Sequence, residues 1–151
     1  YRIADKSYYE QDTEKSIDMD ETDRISGKHI LLAEDNDLNA EIAEFILEDM
    51  GLMVDRVEDG VQCVSRIEQK PAGTYDLILM DIQMPNMDGY KATEVIRGLS
   101  DKSKANIPII AMTANAFEED RKKALACGMN GFLSKPIVIE ELINTLQNNL
   151  K

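Results

Sequence analysis

The sequence predicts an α/β fold, a doubly wound five-stranded parallel sheet, from residue 28 onward. In this region, short apolar runs alternate five times with longer amphipathic stretches. This alternation is typical of a parallel sheet joined by helices, and right-handed crossovers then place helices on both faces. The 43% hydrophobic content is enough for the core of one domain. With 5% aromatic residues and no Trp, that core must be aliphatic.

Five apolar runs predict the strands. The first, His29–Ala33, is continuously apolar, which is the pattern of a strand buried on both faces. The others are residues 52–57, residues 75–80, residues 107–112 and Gly131–Ser134.

Amphipathic stretches between these runs predict five helices. They are residues 38–50, Gly60–Gln69, and residues 88–98, 116–127 and 139–150. Gly51 ends the first of them and Gly128 the fourth, as glycines following a helix do. Asp88 is the expected N-cap of the third, and the polar segment 100–106 is predicted to be a loop.

Residues 1–27 differ in composition from the rest of the chain. They hold eight acidic and four basic residues and no sustained apolar period, so they are interpreted as an acidic linker or N-terminal arm. Residues 8–15 are the one candidate for a helix there. The domain itself is assigned to residues 28–151. Because the chain begins at Tyr1 rather than Met, we expect it to be part of a longer protein.

The formal net charge of −12 argues against nucleic acid and anionic membranes as partners, since both are negatively charged. No apolar run is long enough to cross a bilayer, and no secretory leader opens the chain. We therefore expect a cytoplasmic domain with reduced Cys63 and Cys127, whose parent chain can still be membrane-anchored. No glycine lies between Ala33 and Asn39, which excludes the dinucleotide and Walker phosphate loops.

Charged and polar side chains follow four of the predicted strands. They are Glu34 and Asp35 after the first strand, Asp81 after the third, Thr113 after the fourth and Lys135 after the fifth. Ligands of open parallel sheets bind beyond the carboxyl ends of the strands, so these side chains are expected to meet at one edge. Any one of these acids alone is most simply a loop or capping residue. Apolar strands that end directly in charge, however, need a reason.

Three carboxylates at one edge predict a divalent cation, because carboxylates held close together repel one another. Hard oxygen ligands suit Mg²⁺, with Mn²⁺ as an alternative ion. A carboxylate oriented beside the cation and a lysine is a nucleophile for a phosphoryl group, and the product is an acyl phosphate. Lys135 and the Thr113 hydroxyl would meet its new negative charge.

Four motifs in order resemble the receiver domains of two-component response regulators. They are ILLAEDN at 30–36, DLILMDIQMPNMDG at 76–89, PIIAMTANA at 108–116 and GFLSKP at 131–136. The sequences of these motifs are most similar to those in the receivers of hybrid sensor histidine kinases. The resemblance covers residues 28–151 and implies a flavodoxin-like (βα)5 fold with strand order 2-1-3-4-5.

The resemblance also implies roles for individual residues. Asp81 would accept a phosphoryl group from a phosphohistidine in a Mg²⁺-dependent reaction, with Lys135 and Thr113 as further catalytic groups and a cis bond before Pro136. The metal ligands would be the side chains of Asp35 and Asp81, the main-chain carbonyl of Gln83, and Glu34 through a water. The family more often has Asp at the position of Glu34. No organic cofactor is expected.

Two further sets of residues follow from the resemblance. Thr113 and Phe132 would form the conformational switch, and the side chains of Gln83 and Asn115 would tune hydrolysis of the acyl phosphate. Pro85 and Gly89 would shape the loop after Asp81. The implied activity is limited to self-catalysed phosphoryl acceptance and autodephosphorylation. If the domain is part of a hybrid kinase, the parent chain is a histidine kinase.

The implied partner is the phosphotransfer helices of a histidine kinase or a histidine phosphotransfer domain. On the first helix, Ile42, Phe45 and Ile46 are predicted to lie in the core. Asn39 and Ala40 are predicted to be exposed, where a histidine-bearing helix would dock.

Two alternatives stay open. A haloacid dehalogenase-like phosphatase or phosphotransferase also uses an Asp nucleophile, but it needs a second Asp where this chain has Gln83. The other alternative is a degenerate receiver that acts only as an interaction module.

Overall fold

The structure is a computed structural model that describes residues 25–114 and 117–150. Its strands are β1 (His29–Ala33), β2 (Met53–Val57), β3 (Leu77–Asp81), β4 (Ile109–Thr113) and β5 (Gly131–Ser134). All pairings are parallel, and the strands are ordered β2-β1-β3-β4-β5. The predicted sheet and its strand order are therefore confirmed. Most of the arm assigned to residues 1–27, with its helix candidate at 8–15, lies outside the described residues.

Six helices occur among the described residues. They are α1 (Asp37–Asp49), α2 (Gly60–Gln69), α3 (Gly89–Arg97), α4 (Lys102–Ala105), α5 (Glu118–Cys127) and α6 (Ile139–Asn149). Five of them match the predicted helices. The prediction of a plain loop over residues 100–106 is wrong, because α4 forms one helical turn there. The turn begins at Asp101, whose carboxylate accepts the amide of Ser103 at 3.0 Å.

Side-chain caps start the first three helices of the sheet connections, α1, α2 and α3. The side chains of Asn36, Asp59 and Asp88 each accept a hydrogen bond from an amide three residues ahead, at 2.8–2.9 Å. Such caps contribute about 1 kcal/mol each to helix stability. The three capping residues lie at the carboxyl edge of the sheet, so each of these helices begins close to the end of the preceding strand.

The sheet separates two aliphatic layers. Helices α1 and α6 cover one face, and α2, α3 and α5 cover the other. All five residues of β3 and of β4 are buried, as expected for central strands covered on both faces. No helix of the described residues is long and apolar enough to span a bilayer.

Helix α1 packs on the sheet through small residues. Its buried positions are Ala40, Ala43 and Leu47, which recur at helical spacing. The prediction that Ala40 is exposed is therefore wrong, whereas Asn39 is exposed as predicted. The two alanines allow the helix backbone to lie close to the strands.

The opposite side of α1 is apolar and exposed. Leu38, Ile42 and Phe45 are 64%, 49% and 72% exposed, and we call these three residues the α1 apolar face. The prediction that Ile42 and Phe45 lie in the core is wrong. Only Ile46, of the three predicted positions, packs partly against the core. The structure thus leaves a large aromatic side chain in solvent on the side of α1 that faces away from the sheet.

Candidate functional site

The carboxyl edge of the sheet brings together the side chains that the sequence placed there. Asp81 is the last residue of β3 and Thr113 the last residue of β4, and both are buried. Glu34 and Asp35 follow β1, with Glu34 buried and Asp35 exposed. One carboxylate oxygen from each of Glu34, Asp35 and Asp81 lies within 4.8 Å of the other two.

Lys135 reaches into this acidic cluster from the end of β5. Its Nζ lies 2.7 Å from Glu34 Oε1 and 3.2 Å from Asp81 Oδ2. The backbone amide of Lys135 donates to the carbonyl of Thr113 at 2.8 Å, which joins the ends of β4 and β5. The Lys135–Pro136 bond is cis, as the resemblance implied. One ammonium faces three carboxylates here, so the cluster keeps an excess of negative charge.

Burial dominates the protonation behaviour of the cluster. The pKa of Asp81 is raised to about 7, mainly by burial and also by the charge of Glu34, while Lys135 opposes the change. Burial on its own would lower the pKa of Lys135, but the hydrogen bond to Glu34 and the charge of Asp81 leave that pKa raised. Hard oxygen donors with uncompensated negative charge fit a divalent cation.

The loop after β3 folds back over Asp81. The amide of Gln83 lies 3.4 Å from Asp81 Oδ1, and the amide of Gly89 donates to the carbonyl of Ile82 at 2.9 Å. A Cβ at Gly89 would lie 2.6 Å from the backbone oxygen of Asp81, so this position has room for glycine alone. Pro85 is exposed, and its carbonyl accepts the amide of Met87 at 2.7 Å within the same loop.

The family model of the response regulator receiver domain matches residues 30–147. The chain belongs to the response regulator receiver domain family.

Two curated relatives of this receiver domain are hybrid signal transduction histidine kinases of Dictyostelium discoideum. Kinase B is 42% identical over 123 residues, which is 76% of this chain and 6% of that protein. Kinase L is 37% identical over 149 residues, which is 95% of this chain and 9% of that protein. The receiver domain thus spans less than a tenth of these kinases. Both are hybrid kinases, as the sequences of the motifs predicted.

Solved structures show the same fold. The receiver domain of the sensor histidine kinase PA1611 from Pseudomonas aeruginosa PAO1 has 43% identity and a TM-score of 0.73, covering 82% of this chain and 98% of that one. It carries a magnesium ion in its active-site cleft. The receiver of Saccharomyces cerevisiae Ssk1, co-crystallised with the histidine phosphotransfer protein Ypd1, has 27% identity and a TM-score of 0.74, covering 82% and 89%.

These findings fix the class of the domain. It is a receiver domain of the kind found in hybrid histidine kinases and phosphorelay proteins. Neither the family match nor the relatives support a haloacid dehalogenase-like enzyme.

The two candidate switch residues of the receiver domain lie on neighbouring strands. Thr113 borders a cavity of about 480 Å³ whose lining also includes Gln83 and Met84. Phe132 on β5 is half-buried, and the guanidinium carbon of Arg121 lies 5.4 Å from its ring centroid. The outer side of Phe132 thus faces a charged side chain rather than the core. Asn115 lies outside the described residues.

Sequence reasoning missed one contact that holds the loop after β3 in the receiver domain. The Asn86 side chain donates to Asp59 Oδ2 at 2.7 Å, and Asn86 adopts a positive φ of 67°. The amide of Gly60 donates to the carbonyl of Met87 at 3.0 Å beside it. Asn86 and Asp59 are 27 residues apart, so local patterns show only that Asn tolerates a left-handed turn and that Asp caps helices.

Stability of the metal-free receiver domain is expected to fall as the pH rises from about 4 to about 7. The pKa of Asp81 is about 7 in the folded state against 3.8 for the unconstrained group. The resulting stabilisation is complete below the lower value and is lost as pH rises through the upper one. Asp81→Asn should remove this component, about 1–4 kcal/mol at 1.36 kcal/mol per pKa unit. Urea unfolding in EDTA at several pH values measures it.

The control for this measurement is Asp49→Asn, which neutralises an exposed acid at the end of α1. It should keep the pH dependence of the wild type. Equal pH dependence in the wild type and in Asp81→Asn would show that Asp81 does not hold a proton in the folded metal-free state.

Proposed function

We propose that Asp81 is the residue of this receiver domain that takes a phosphoryl group from a phosphohistidine. The observation that supports this role is its central position. Strand β3 lies between β1, which leads into the acids, and β4, which ends at Thr113. Asp81 alone therefore has the acidic pair on one side and the hydroxyl on the other, with Lys135 Nζ at 3.2 Å.

In the proposed reaction, a carboxylate oxygen of Asp81 attacks the phosphorus of the phosphohistidine. The P–O bond forms as the P–N bond breaks, and the imidazole nitrogen leaves with the electron pair. Lys135 and Thr113 stabilise the charge on the phosphoryl oxygens. The side chains of Asp35 and Asp81 and the Gln83 carbonyl would hold Mg²⁺, with Glu34 acting through water, and the cation would supply further charge neutralisation.

We also propose that the acyl phosphate changes the conformation of the domain through Thr113 and Phe132. Thr113 borders a cavity whose lining includes Ile82 and Gln83, the two residues after Asp81, and its hydroxyl would turn toward a phosphoryl group there. Phe132 is half-buried, lies on the neighbouring strand and packs against the core, so an inward movement would bury it further. Gln83 and Asn115 would then tune the rate of hydrolysis, and the parent chain would be a cytoplasmic or membrane-anchored hybrid histidine kinase with an arm over residues 1–27.

A direct test is the transfer of radiolabelled phosphate from a histidine phosphotransfer protein to the wild-type chain and to Asp81→Asn, followed by peptide mapping. Label on the peptide that contains Asp81 supports the proposal. Label on another peptide contradicts it.

The α1 apolar face is the proposed docking surface for the histidine-bearing helix. Its central residue, Ile42, also lines a cleft of about 80 Å³ with Glu34, Lys135 and Pro136, so the surface is continuous with the site. A helix laid on this face would bring its histidine close to Asp81. The yeast Ssk1 receiver is solved in complex with a histidine phosphotransfer protein.

We expect Phe45→Ser to raise the KM for a histidine phosphotransfer donor at least about fivefold, since burial of an aromatic anchor contributes about 1–2 kcal/mol to docking. Labelling by acetyl phosphate should stay unchanged because that donor is small. Steady-state transfer kinetics measure both.

The matched control for Phe45→Ser is Phe117→Ser. Phe117 is 68% exposed, against 72% for Phe45, but lies before α5 rather than on α1. It should leave the KM at the wild-type value. An equal rise in KM for both variants, or none for Phe45→Ser, would remove the α1 apolar face from the docking surface.

A further inference from the structure

Arg56 on β2 is hydrogen-bonded to the segment that carries the acidic pair, Glu34 and Asp35. Its Nε and Nη2 donate to the backbone carbonyl of Glu34 at 3.0 and 2.8 Å. Its Nη1 donates to Asp37 Oδ1 at 2.9 Å. The planar fork of the guanidinium suits such a pair of acceptors, which a lysine cannot satisfy together. No motif in the sequence marks this residue, because its partners lie 19 and 22 residues away.

The contacts of Arg56 hold the second backbone polar group of Glu34. The amide of Glu34 donates to the carbonyl of Val57 at 3.0 Å, and the carbonyl of Glu34 is held by Arg56. The next amide but one, that of Asn36, donates to Glu34 Oε2 at 3.2 Å. The backbone and the side chain of Glu34 are therefore both held in place. Asp35 follows this fixed backbone, although its own side chain is exposed.

We propose that Arg56 is a positioning residue for the divalent-cation site. It holds the Glu34–Asp35 peptide so that both carboxylates are oriented before a cation binds. Its positive charge also reduces the repulsion among the acids of this segment, since it lies beside Glu34 and Asp37. This inference rests on the proposed cation site, but not on the identity of the phosphoryl acceptor.

The expected effect of Arg56→Met is about a 10-fold weaker affinity for Mg²⁺, the loss typical of residues that orient metal ligands without touching the metal. Arg56→Lys keeps the charge but not the fork, so it should restore the affinity only in part. Isothermal titration with Mg²⁺ measures the affinity of each variant. An affinity in Arg56→Met that equals or exceeds that of the wild type overturns the proposal, because the loss of a nearby positive charge alone would favour a cation.

A second measurement separates positioning from general destabilisation. In EDTA, Arg56→Met should increase the hydrogen-exchange rate of the Asn36 amide. This increase should be larger than the increase at the amides of β3. Arg66→Met is the matched control, because Arg66 donates to the Tyr75 hydroxyl at 3.1 Å and does not contact the acidic segment. It should change neither the exchange at Asn36 nor the Mg²⁺ affinity. A parallel loss in both arginine variants would show that Arg56 acts only through stability.

Asp35→Asn distinguishes failure of this inference from failure of the cation site. Weaker Mg²⁺ binding in Asp35→Asn with wild-type binding in Arg56→Met refutes the positioning role alone. Wild-type binding in both variants refutes the proposed cation site itself, and the positioning role with it.

Discussion

Asp81→Asn should lower phosphoryl acceptance from a phosphohistidine donor by at least about 1,000-fold, the scale of losses seen when a nucleophile is removed. The amide oxygen of Asn carries no negative charge and forms no stable acyl phosphate. Asn has nearly the shape of Asp and carries no charge that has to be buried, so the fold should persist. The measurement is the initial rate of label transfer, with intact mass as a check on stoichiometry.

The matched control for this experiment lies at the opposite end of the same strand. Asp76 precedes β3, and its Oδ2 accepts the amide of His29 at 2.8 Å. An Asn side chain keeps an oxygen acceptor there, so Asp76→Asn should accept phosphate at the wild-type rate. Retained labelling of Asp81→Asn would place the acceptor elsewhere. Glu34 would be the next candidate, since it is buried and contacts Lys135 at 2.7 Å.

Withdrawal of divalent cations should stop phosphoryl acceptance by the wild-type chain, and Mg²⁺ or Mn²⁺ should restore it. Three carboxylates face one ammonium in this site, so an incoming phosphoryl group meets net repulsion without a cation. Asp35→Asn should raise the Mg²⁺ concentration for half-maximal rate at least about 10-fold, because the loss of one charged ligand is worth about 1.4 kcal/mol or more.

Asp49→Asn is the control for the metal experiment. Asp49 is an exposed acid at the C-terminal end of α1, whereas the acidic cluster lies at the N-terminal end of that helix. It should shift the half-maximal Mg²⁺ concentration little. Full activity in EDTA, or an equal shift in the two variants, would contradict the assignment of Asp35 as a ligand.

The sheet and the site edge could be predicted from the sequence because two strong patterns coincide. Continuous apolar runs mark strands that are buried on both faces, and they end abruptly in Glu34 and Asp81. In a parallel sheet these ends must meet at one edge, whatever the details of the loops. The positions of Thr113 and Lys135 follow from the same rule.

The orientation of α1 could not be predicted in this way. Two apolar stripes run along this helix, one of large residues that includes Phe45 and one of small residues that includes Ala40 and Ala43. The size of the side chains favours burial of the larger stripe. The smaller stripe is buried instead. The space between the helix and the sheet determines which stripe fits, and that space depends on residues far away in the sequence. A surface that binds a partner, as we propose for the α1 apolar face, also departs from the rule that large apolar residues are buried.

Contacts between distant segments escaped prediction for a related reason. Arg56 lies in a short strand whose alternation predicts only an exposed or half-exposed polar side chain. Its hydrogen bonds to the acidic segment depend on the register of β1 with β2, which pairs Arg56 with Leu32. The single turn of α4 was missed because its lysines are typical of a loop. Its two helix signals, the capping Asp101 and the buried Ala105, span too few residues to form a periodic pattern.

The place of β5 in the sheet has a mechanical consequence. This strand is hydrogen-bonded on one flank only, to β4, whereas β3 is hydrogen-bonded on both flanks. Lys135 and Phe132 are three positions apart on this outermost segment, and the lysine amide is tied to the carbonyl of Thr113. In the proposed reaction Lys135 would exchange Glu34 for the phosphoryl group, and the resulting force would act on an edge strand with a single hydrogen-bonded neighbour. Strand β3, which carries the proposed acceptor, would be held by neighbours on both flanks.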